Sequence, residues 1–415
     1  MIKSDFGKRQ RGSNAPYFYT TCCSLLAASA TVLVLVGCST NPSAELPNCF
    51  TDSVSNITIT ADTTDSWTPV PTTARYAHRI FDYAEANNLY YGLEATENRI
   101  DVFRLDSGLV RSILLTDPEF DQPIANIMVH TADSIFLTAN DPYTLLLINH
   151  HGKLITSWKL NEAPVEWDYA PNYYHSKRNF QKPILFNGLV HIAITPFDFY
   201  YHSNRADMKL FCVYNLTERK WTRLYGHTEG VYTTPDITLP DDFTLPNLVY
   251  ANGSVWVSYP LSAHAYQYNT KGEFMGKKCI GGNAISKIPE PPALDADIQQ
   301  ETNYLISAPF YGRLSYHSKL KIFSRIVFHE IPLYGNDGKL NQFCNRNLSI
   351  QFFDQDMNPI IEKAIDNTIT LLPGYFIATS DGFITASTCG GKKINEDYLT
   401  LNKRIRFNIV STGTL

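Results

Sequence analysis

The feature that most constrains this chain is a repeat. A short apolar strand, a tight turn and a second strand are followed by a loop and then a hairpin with a Gly or Asn turn. His78–Tyr83, Asn87-Asn88 and Leu89–Leu93 open the first unit; Asn98–Leu105, Asp106-Ser107-Gly108 and Leu109–Leu115 close it. The pattern returns around Asn126–Leu160, Pro183–Tyr225, Asn247–Cys279 and, stretched, Tyr311–Ile365. Gly and Asn supply the positive φ that tight hairpins require. A periodic array of four-strand units of this size predicts a propeller.

A sixth unit is incomplete. It has Tyr375–Ala378, Phe383–Ser387 and Arg404–Val410, but no fourth strand. Val54–Thr60, ahead of the first unit, has the right length to fill that place. The expected fold is therefore an all-β, six-bladed β-propeller with four-stranded blades, the last closed by the N-terminal strand. Closure removes the edge that an open sheet exposes. Deleting Val54–Thr60 is expected to destabilise the fold.

With strands A to D counted outwards from the axis, A–B and C–D turns share one face, and B–C and D–A links share the other. The long segments are Asn161–Lys182, Phe197–Asp207, Gly226–Pro246, Gly281–Phe310, Glu330–Asn347 and Cys389–Asn402. All are B–C or D–A links, so one face is plain and the other built up. Long loops on a rigid scaffold are where binding resides.

The N-terminus reads as an address. Lys3, Lys8, Arg9 and Arg11 precede a run of 15 apolar or small residues, Cys22–Val36, and Leu35-Val36-Gly37-Cys38 fits a lipobox. The run is short of the roughly 20 residues that span a bilayer, so a cleaved signal at 1–37 is expected. Cys38 would then be lipidated, residues 38–53 would form the tether, and 54–415 a single propeller domain. Ser39 in place of Asp favours the outer membrane, periplasm-facing, with surface exposure also open.

Past the cleavage site 31 basic and 39 acidic residues remain. No Lys/Arg block survives, which excludes a nucleic-acid footprint. Aromatic residues make up 13% of the chain, with 25 Tyr and 23 Phe, and such side chains favour strands. Five cysteines lie beyond the anchor: Cys49, Cys212, Cys279, Cys344 and Cys389. None forms a C-x-x-C pair, so zinc and redox motifs are not expected. The compartment permits disulfides, but the odd count and wide spacing favour buried free thiols for most.

At Asn98–Phe103, Asp133–Leu137, Lys321–Arg325, Leu348–Asp354 and Ser380–Ile384 the chain resembles a family of Bacteroidetes lipoproteins with six-bladed, TolB-like propellers. The order of these stretches, which span about 76 to 410, carries the resemblance more than any one of them. Ser324 departs from it, standing where relatives often place an aromatic. The family is a domain of unknown function, so the resemblance implies fold and location rather than chemistry.

No catalytic motif emerges. Asp354-x-Asp356-x-Asn358 has the opening spacing of a calcium loop, but Pro359 sits where that loop needs Gly; a C–D hairpin turn explains it. His329-Glu330 does not continue as a zinc-protease helix. No metal and no cofactor is therefore expected. Aromatic–histidine clusters do recur in the long segments: Tyr174 with His175, Tyr201 with His202, His227 beside Tyr225, and Tyr311 with Arg313. Tyr and His join an apolar body to a hydrogen-bonding tip, and Arg adds a planar donor fork. These residues are the candidate binding set for a glycan, a peptide or an envelope protein; the bland alternative is that they pack loops onto blades. Arg325, within a strand, is a further candidate or a buried structural residue. The leading expectation is a non-enzymatic binding protein. The alternative is a polysaccharide- or peptidoglycan-acting hydrolase or lyase using acids such as Asp168 or Asp198.

Overall fold

The computed structural model describes residues 45–50, 56–62, 80–94, 97–104, 107–121, 124–140, 143–160, 171–172, 183–196, 209–244, 246–342, 345–365, 376–386 and 401–410. Six four-stranded antiparallel sheets form a ring, a six-bladed β-propeller. The first strand, β1 (Asn56–Asp62), waits for the last. Blade 1 is β2 (Ile80–Ala84), β3 (Leu89–Glu94), β4 (Arg99–Arg104) and β5 (Gly108–Leu114). Blade 2 is β6 (Ile124–Thr131), β7 (Ser134–Asn140), β8 (Tyr143–Ile148) and β9 (Leu154–Lys159). Two short strands, β10 (Pro171–Asn172) and β13 (Thr195–Pro196), pair outside the blades. Blade 3 is β11 (Ile184–Phe186), β12 (Leu189–Ala193), β14 (Phe211–Asn215) and β15 (Lys220–Tyr225). Blade 4 is β16 (Asn247–Ala251), β17 (Ser254–Ser258), β18 (His264–Asn269) and β19 (Phe274–Cys279). Blade 5 is β20 (Phe310–His317), β21 (Ile322–Phe328), β22 (Leu348–Phe353) and β23 (Pro359–Ala364). Blade 6 is β24 (Phe376–Thr379), β25 (Gly382–Ala386) and β26 (Leu401–Val410), completed by β1. The closing strand lies two residues beyond the expected Val54–Thr60 and pairs with β26 from Asn56↔Val410 to Asp62↔Arg404. The first strand of each blade is innermost: β2 packs on β6, β11 on β16, β16 on β20 and β20 on β24.

The turns repeat in chemistry as well as position. Asn187-Gly188 and Asn252-Gly253 both take positive φ, as type I′ hairpins demand. At four C–D turns one side-chain oxygen accepts two backbone N–H bonds. Asn149 serves His151 and Lys153, Asn215 serves Thr217 and Glu218, and Asn269 serves Lys271 and Glu273. Asp354 serves Asp356 and Asn358. Asp354-x-Asp356-x-Asn358 is thus the blade 5 copy of a hairpin cap built as an Asx-turn. The C–D pairs of blades 1 to 5 each slip register just before this turn, and such bulges sharpen the local twist.

Gly152 in the blade 2 turn has φ +78, and a Cβ there would overlap the Leu114 carbonyl oxygen on blade 1. Gly253 has φ +76 but open space around it. Gly253→Ala should therefore cost only the left-handed strain, about 1 kcal/mol, and Gly152→Ala about 3 kcal/mol, because the blades must also part. Urea denaturation of the two variants side by side checks the difference.

Polar staples join successive blades. Asp82 of β2 accepts the Val129 N–H of blade 2. Trp158 Nε1 donates to Leu216 O of blade 3. His191 of β12 donates from Nε2 to Thr270 O of blade 4 and accepts at Nδ1 from the Tyr225 hydroxyl. Arg325 of β21 donates to Tyr259 O and Ser262 O of blade 4. His317, at the end of β20, donates from Nδ1 to Thr379 O of blade 6 and accepts at Nε2 from Ser324. The Ser324 hydroxyl thereby fixes the ring of this histidine.

Two of the five cysteines beyond the anchor pair with one another. Cys49 and Cys279 are disulfide-bonded, with Cα atoms 5.9 Å apart. Cys212 is a buried free thiol as expected, whereas Cys344 and Cys389 lie outside the described residues. From Glu45 to Phe50 the expected tether is laid on the propeller body as a strap. Glu45 bridges to Lys287, Leu46 N–H bonds to Ser286 O, Cys49 N–H bonds to Gly281 O, and Phe50 is buried against Phe353. Among the described residues, no helix is long and apolar enough to cross a membrane.

Candidate functional site

The loop-rich face is as lopsided as the sequence implies. Its links carry α1 (Asp241–Thr244) and α2 (Ile298–Ser307). Asp297 and Gln300 form a reciprocal capping box that starts α2. Beside α2 an open cleft of about 370 Å³ is lined by Glu290, Asp295, Gln300, Asn303, Tyr304 and Ser307. Its walls offer carboxylates, amides and hydroxyls.

The expected site residues do not form one cluster. Tyr174, His175, Tyr201 and His202 lie outside the described residues, as do Asp168 and Asp198. His227 is exposed at the seam of blades 3 and 4 and stacks on Phe274, with ring centroids 4.5 Å apart. Burial first, then Lys209, pushes its pKa down. Next to it Glu229 pairs with His264 and Lys277, and the His264 bond leads in holding its carboxyl at about 2.

Tyr311 is buried rather than displayed: its ring lies beneath the Arg325 guanidinium, 3.9 Å from ring centre to Cζ. Arg325 is 0% exposed. Burial lowers its pKa to about 9 against the upward pull of Tyr311 and Tyr232, so it stays a cation at neutral pH. Both residues serve the joint of blades 4 and 5.

Arg313 is different. It sits in the register slip between Tyr311 and Leu314 on the innermost strand of blade 5. Burial lowers its pKa to about 10, and the carboxylate of Asp82 acts against that shift. Asp82 belongs to the innermost strand of blade 1, with blade 6 between them in the ring. Arg313 is half-buried. Asp82 is itself held by the N–H groups of Tyr83 and Val129. Sequence reading placed Arg313 in a loop cluster and missed Asp82; a charged residue on an otherwise apolar inner strand was the available signal. Among the described residues, no group of three His, Cys, Asp or Glu side chains is placed to hold a metal.

No family model and no curated protein sequence matches the chain. Solved structures do. A member of the DUF4221 family from Bacteroides vulgatus is similar with a TM-score of 0.62 at 11% identity, covering 86% of this chain and 99% of its own. A protein from Bacteroides fragilis, named for its expected export, gives a TM-score of 0.48 at 11% identity, covering 88% and 99%. A streptogramin B lyase gives 0.37 at 13% identity, covering 86% and 98%. The first supports the propeller fold.

Proposed function

We propose that this is a non-enzymatic binding protein of the bacterial envelope, held to a membrane by lipid on Cys38, that takes its ligand or partner on the loop-rich face and its axial opening. The observation that supports the reading best is Arg313, a half-buried cation at an irregularity of the innermost strand of blade 5, within electrostatic reach of Asp82. A guanidinium near a carboxylate can orient a polar guest. The cleft beside α2 adds amide and hydroxyl donors of the kind that hold sugar or peptide groups. Tyr174, His175, Tyr201, His202 and His227 complete the proposed binding set. The seven residues from Cys38 to Glu45 reach at most about 25 Å, so a lipidated Cys38 would keep the strap-bearing face near the membrane.

Substituting Tyr174, Tyr201 and Arg313 together by Ala should weaken binding to the responding glycan or envelope protein at least tenfold, measured on a glycan array and by pull-down from solubilised envelopes. Full retention of every partner would refute the site. Cys38→Ser should move the protein from the membrane fraction to the soluble fraction, since stable anchoring needs the acyl chains.

A further inference from the structure

The strands of blade 5 give a row of polar side chains to the face turned toward blade 4. Tyr311 comes from β20, Arg325 from β21, Gln351 from β22 and Glu362 from β23, with Glu362 Oε1 accepting from Ser349 of β22. Arg325, Gln351 and Glu362 are direct cross-strand neighbours, and Arg325 covers the Tyr311 ring. Arg325 and Gln351 are each 0% exposed and Tyr311 is 1% exposed. Arg325 Nη2 is satisfied by the Tyr259 and Ser262 carbonyls, and the Tyr311 hydroxyl by the Gly282 backbone. Arg325 Nε and Nη1, both ends of the Gln351 amide and Glu362 Oε2 have no hydrogen-bond partner. Buried polar atoms in such number are normally bridged by ordered water or another small guest.

The row has a roof. Gly282, in the link leaving blade 4, passes so close that a Cβ would overlap Glu362 Oε2 and Gln351 Nε2. Its neighbour Gly281 is covered in turn: a Cβ there would overlap the Pro47 carbonyl oxygen, and the Gly281 carbonyl accepts the Cys49 N–H. The order from outside in is strap, glycine pair, polar row. Asn48 bonds to Asn283, and the Cys49–Cys279 disulfide is the covalent fastening. Both sulfur-bearing residues are half-exposed, so a reductant can reach them.

We propose that the joint of blades 4 and 5 is a hydrated polar site under a redox-operated cover: Arg325, Gln351, Glu362 and Tyr311 bind small neutral hydrogen-bonding guests, water in the resting state, and the Cys49–Cys279 strap controls their access. One cation and one carboxylate leave the site neutral overall. Donors and acceptors are mixed along it, so the guest must both donate and accept. Opening needs a dithiol reductant. Its thiolate attacks one sulfur and breaks the Cys49–Cys279 bond, its second thiol resolves the mixed disulfide, and two electrons pass to the protein. Cys49 and Cys279 end as thiols and the reductant as a cyclic disulfide. The proposal is independent of what the loop-rich face binds.

Hydrogen–deuterium exchange on the full protein, with and without dithiothreitol, tests the cover. After reduction the amides of 45–50 and 281–286 should exchange at least tenfold faster, with blades 1 to 3 unchanged. Unchanged exchange at 281–286, or acceleration throughout the ring, would overturn it. Cys49→Ser should reproduce the reduced pattern in the absence of reductant; should it fail to fold, Asn48→Ala, which keeps the disulfide, should accelerate the same segment by a smaller factor. A high-resolution crystal structure of the oxidised protein tests the site. Water bonded to Arg325 and to Glu362 or Gln351 supports it; direct pairing of those side chains with one another overturns it.

Discussion

A protein lacking residues 1–62 should fail to form a cooperative propeller and should elute as aggregate. The same protein beginning at residue 51 should fold. The difference lies in β1. Its seven residues pair in register with β26, and they are the only fourth strand blade 6 has among the described residues. Without them β26 becomes an exposed edge of ten residues, the kind of template on which other chains add. The ring also loses its clasp, because blade 6 is where the two ends of the chain meet and the loop-closure entropy of the whole ring is settled. Removing residues 1–50 sacrifices the strap and the disulfide instead. A bridge of sequence separation 230 contributes about 2 to 5 kcal/mol by constraining the unfolded chain, which lowers the denaturation midpoint without removing a strand. Moving residues 54–63 behind Leu415 through a short Gly-rich linker should restore folding to the longer truncation, since β1 runs antiparallel to β26. Failure of that permutant, together with a folded 1–62 truncation, would show that ring closure does not depend on this strand.

The same comparison separates two jobs, anchoring and ring closure. The structure puts an independent fastening between them, at Cys49–Cys279 on blade 4, so a pull on the N-terminus meets blade 4 before it meets β1. The disulfide was beyond sequence reading for a physical reason: pairing depends on which strand end the ring brings beside the strap, and spacing of 230 residues says nothing about that.

Blade order, face asymmetry and the closing strand were legible because each is local or periodic. Alternating strands, Asn-Gly turns and loop lengths are properties of short windows. The C–D cap is equally local. Asn149, Asn215, Asn269 and Asp354 each stand at the end of a third strand or one residue beyond it, and only the Asp354 copy also carries the opening spacing of a calcium loop. The joints were illegible. Nothing in the sequence around His191, His317 or Trp158 tells which neighbouring blade will offer a carbonyl. Tyr311 likewise looked like surface chemistry, and Arg325 stood open between a binding and a buried structural role, because the packing of blade 4 against their strands is not written in those strands. Asp82 and Arg313 behave the same way: far apart in the chain, they come within electrostatic reach only through the ring.

Acidification from pH 8 to pH 5 should cost the folded protein about 4 kcal/mol through two of these joints. His191 and His317 are each 0% exposed, and burial is the leading cause that brings both pKa values down from 6.5 to about 4. Each ring already uses one nitrogen to donate to a carbonyl and the other to accept from a hydroxyl, which is the bonding of a neutral imidazole. A proton on either ring would turn the accepting nitrogen into a donor facing Tyr225 or Ser324, with no water to receive the charge. The sign follows from where the protons bind. Between pH 6.5 and 4 the unfolded chain takes up protons that the native chain refuses, so stability falls as pH drops through 6.5 and levels off below 4. At pH 5 the gap is worth about 2 kcal/mol per histidine at 1.36 kcal/mol per pKa unit. Carboxylates act in a separate window: Glu229, held at about 2 chiefly by His264, loses its contribution only as pH falls below 4.5. His317→Gln keeps a donor for Thr379 but cannot titrate, so its loss of stability between pH 8 and pH 5, measured by urea denaturation, should be about half that of the wild type. An equal pH dependence in the variant would mean that His317 is charged in the native ring, and that the joint of blades 5 and 6 is wet rather than dry.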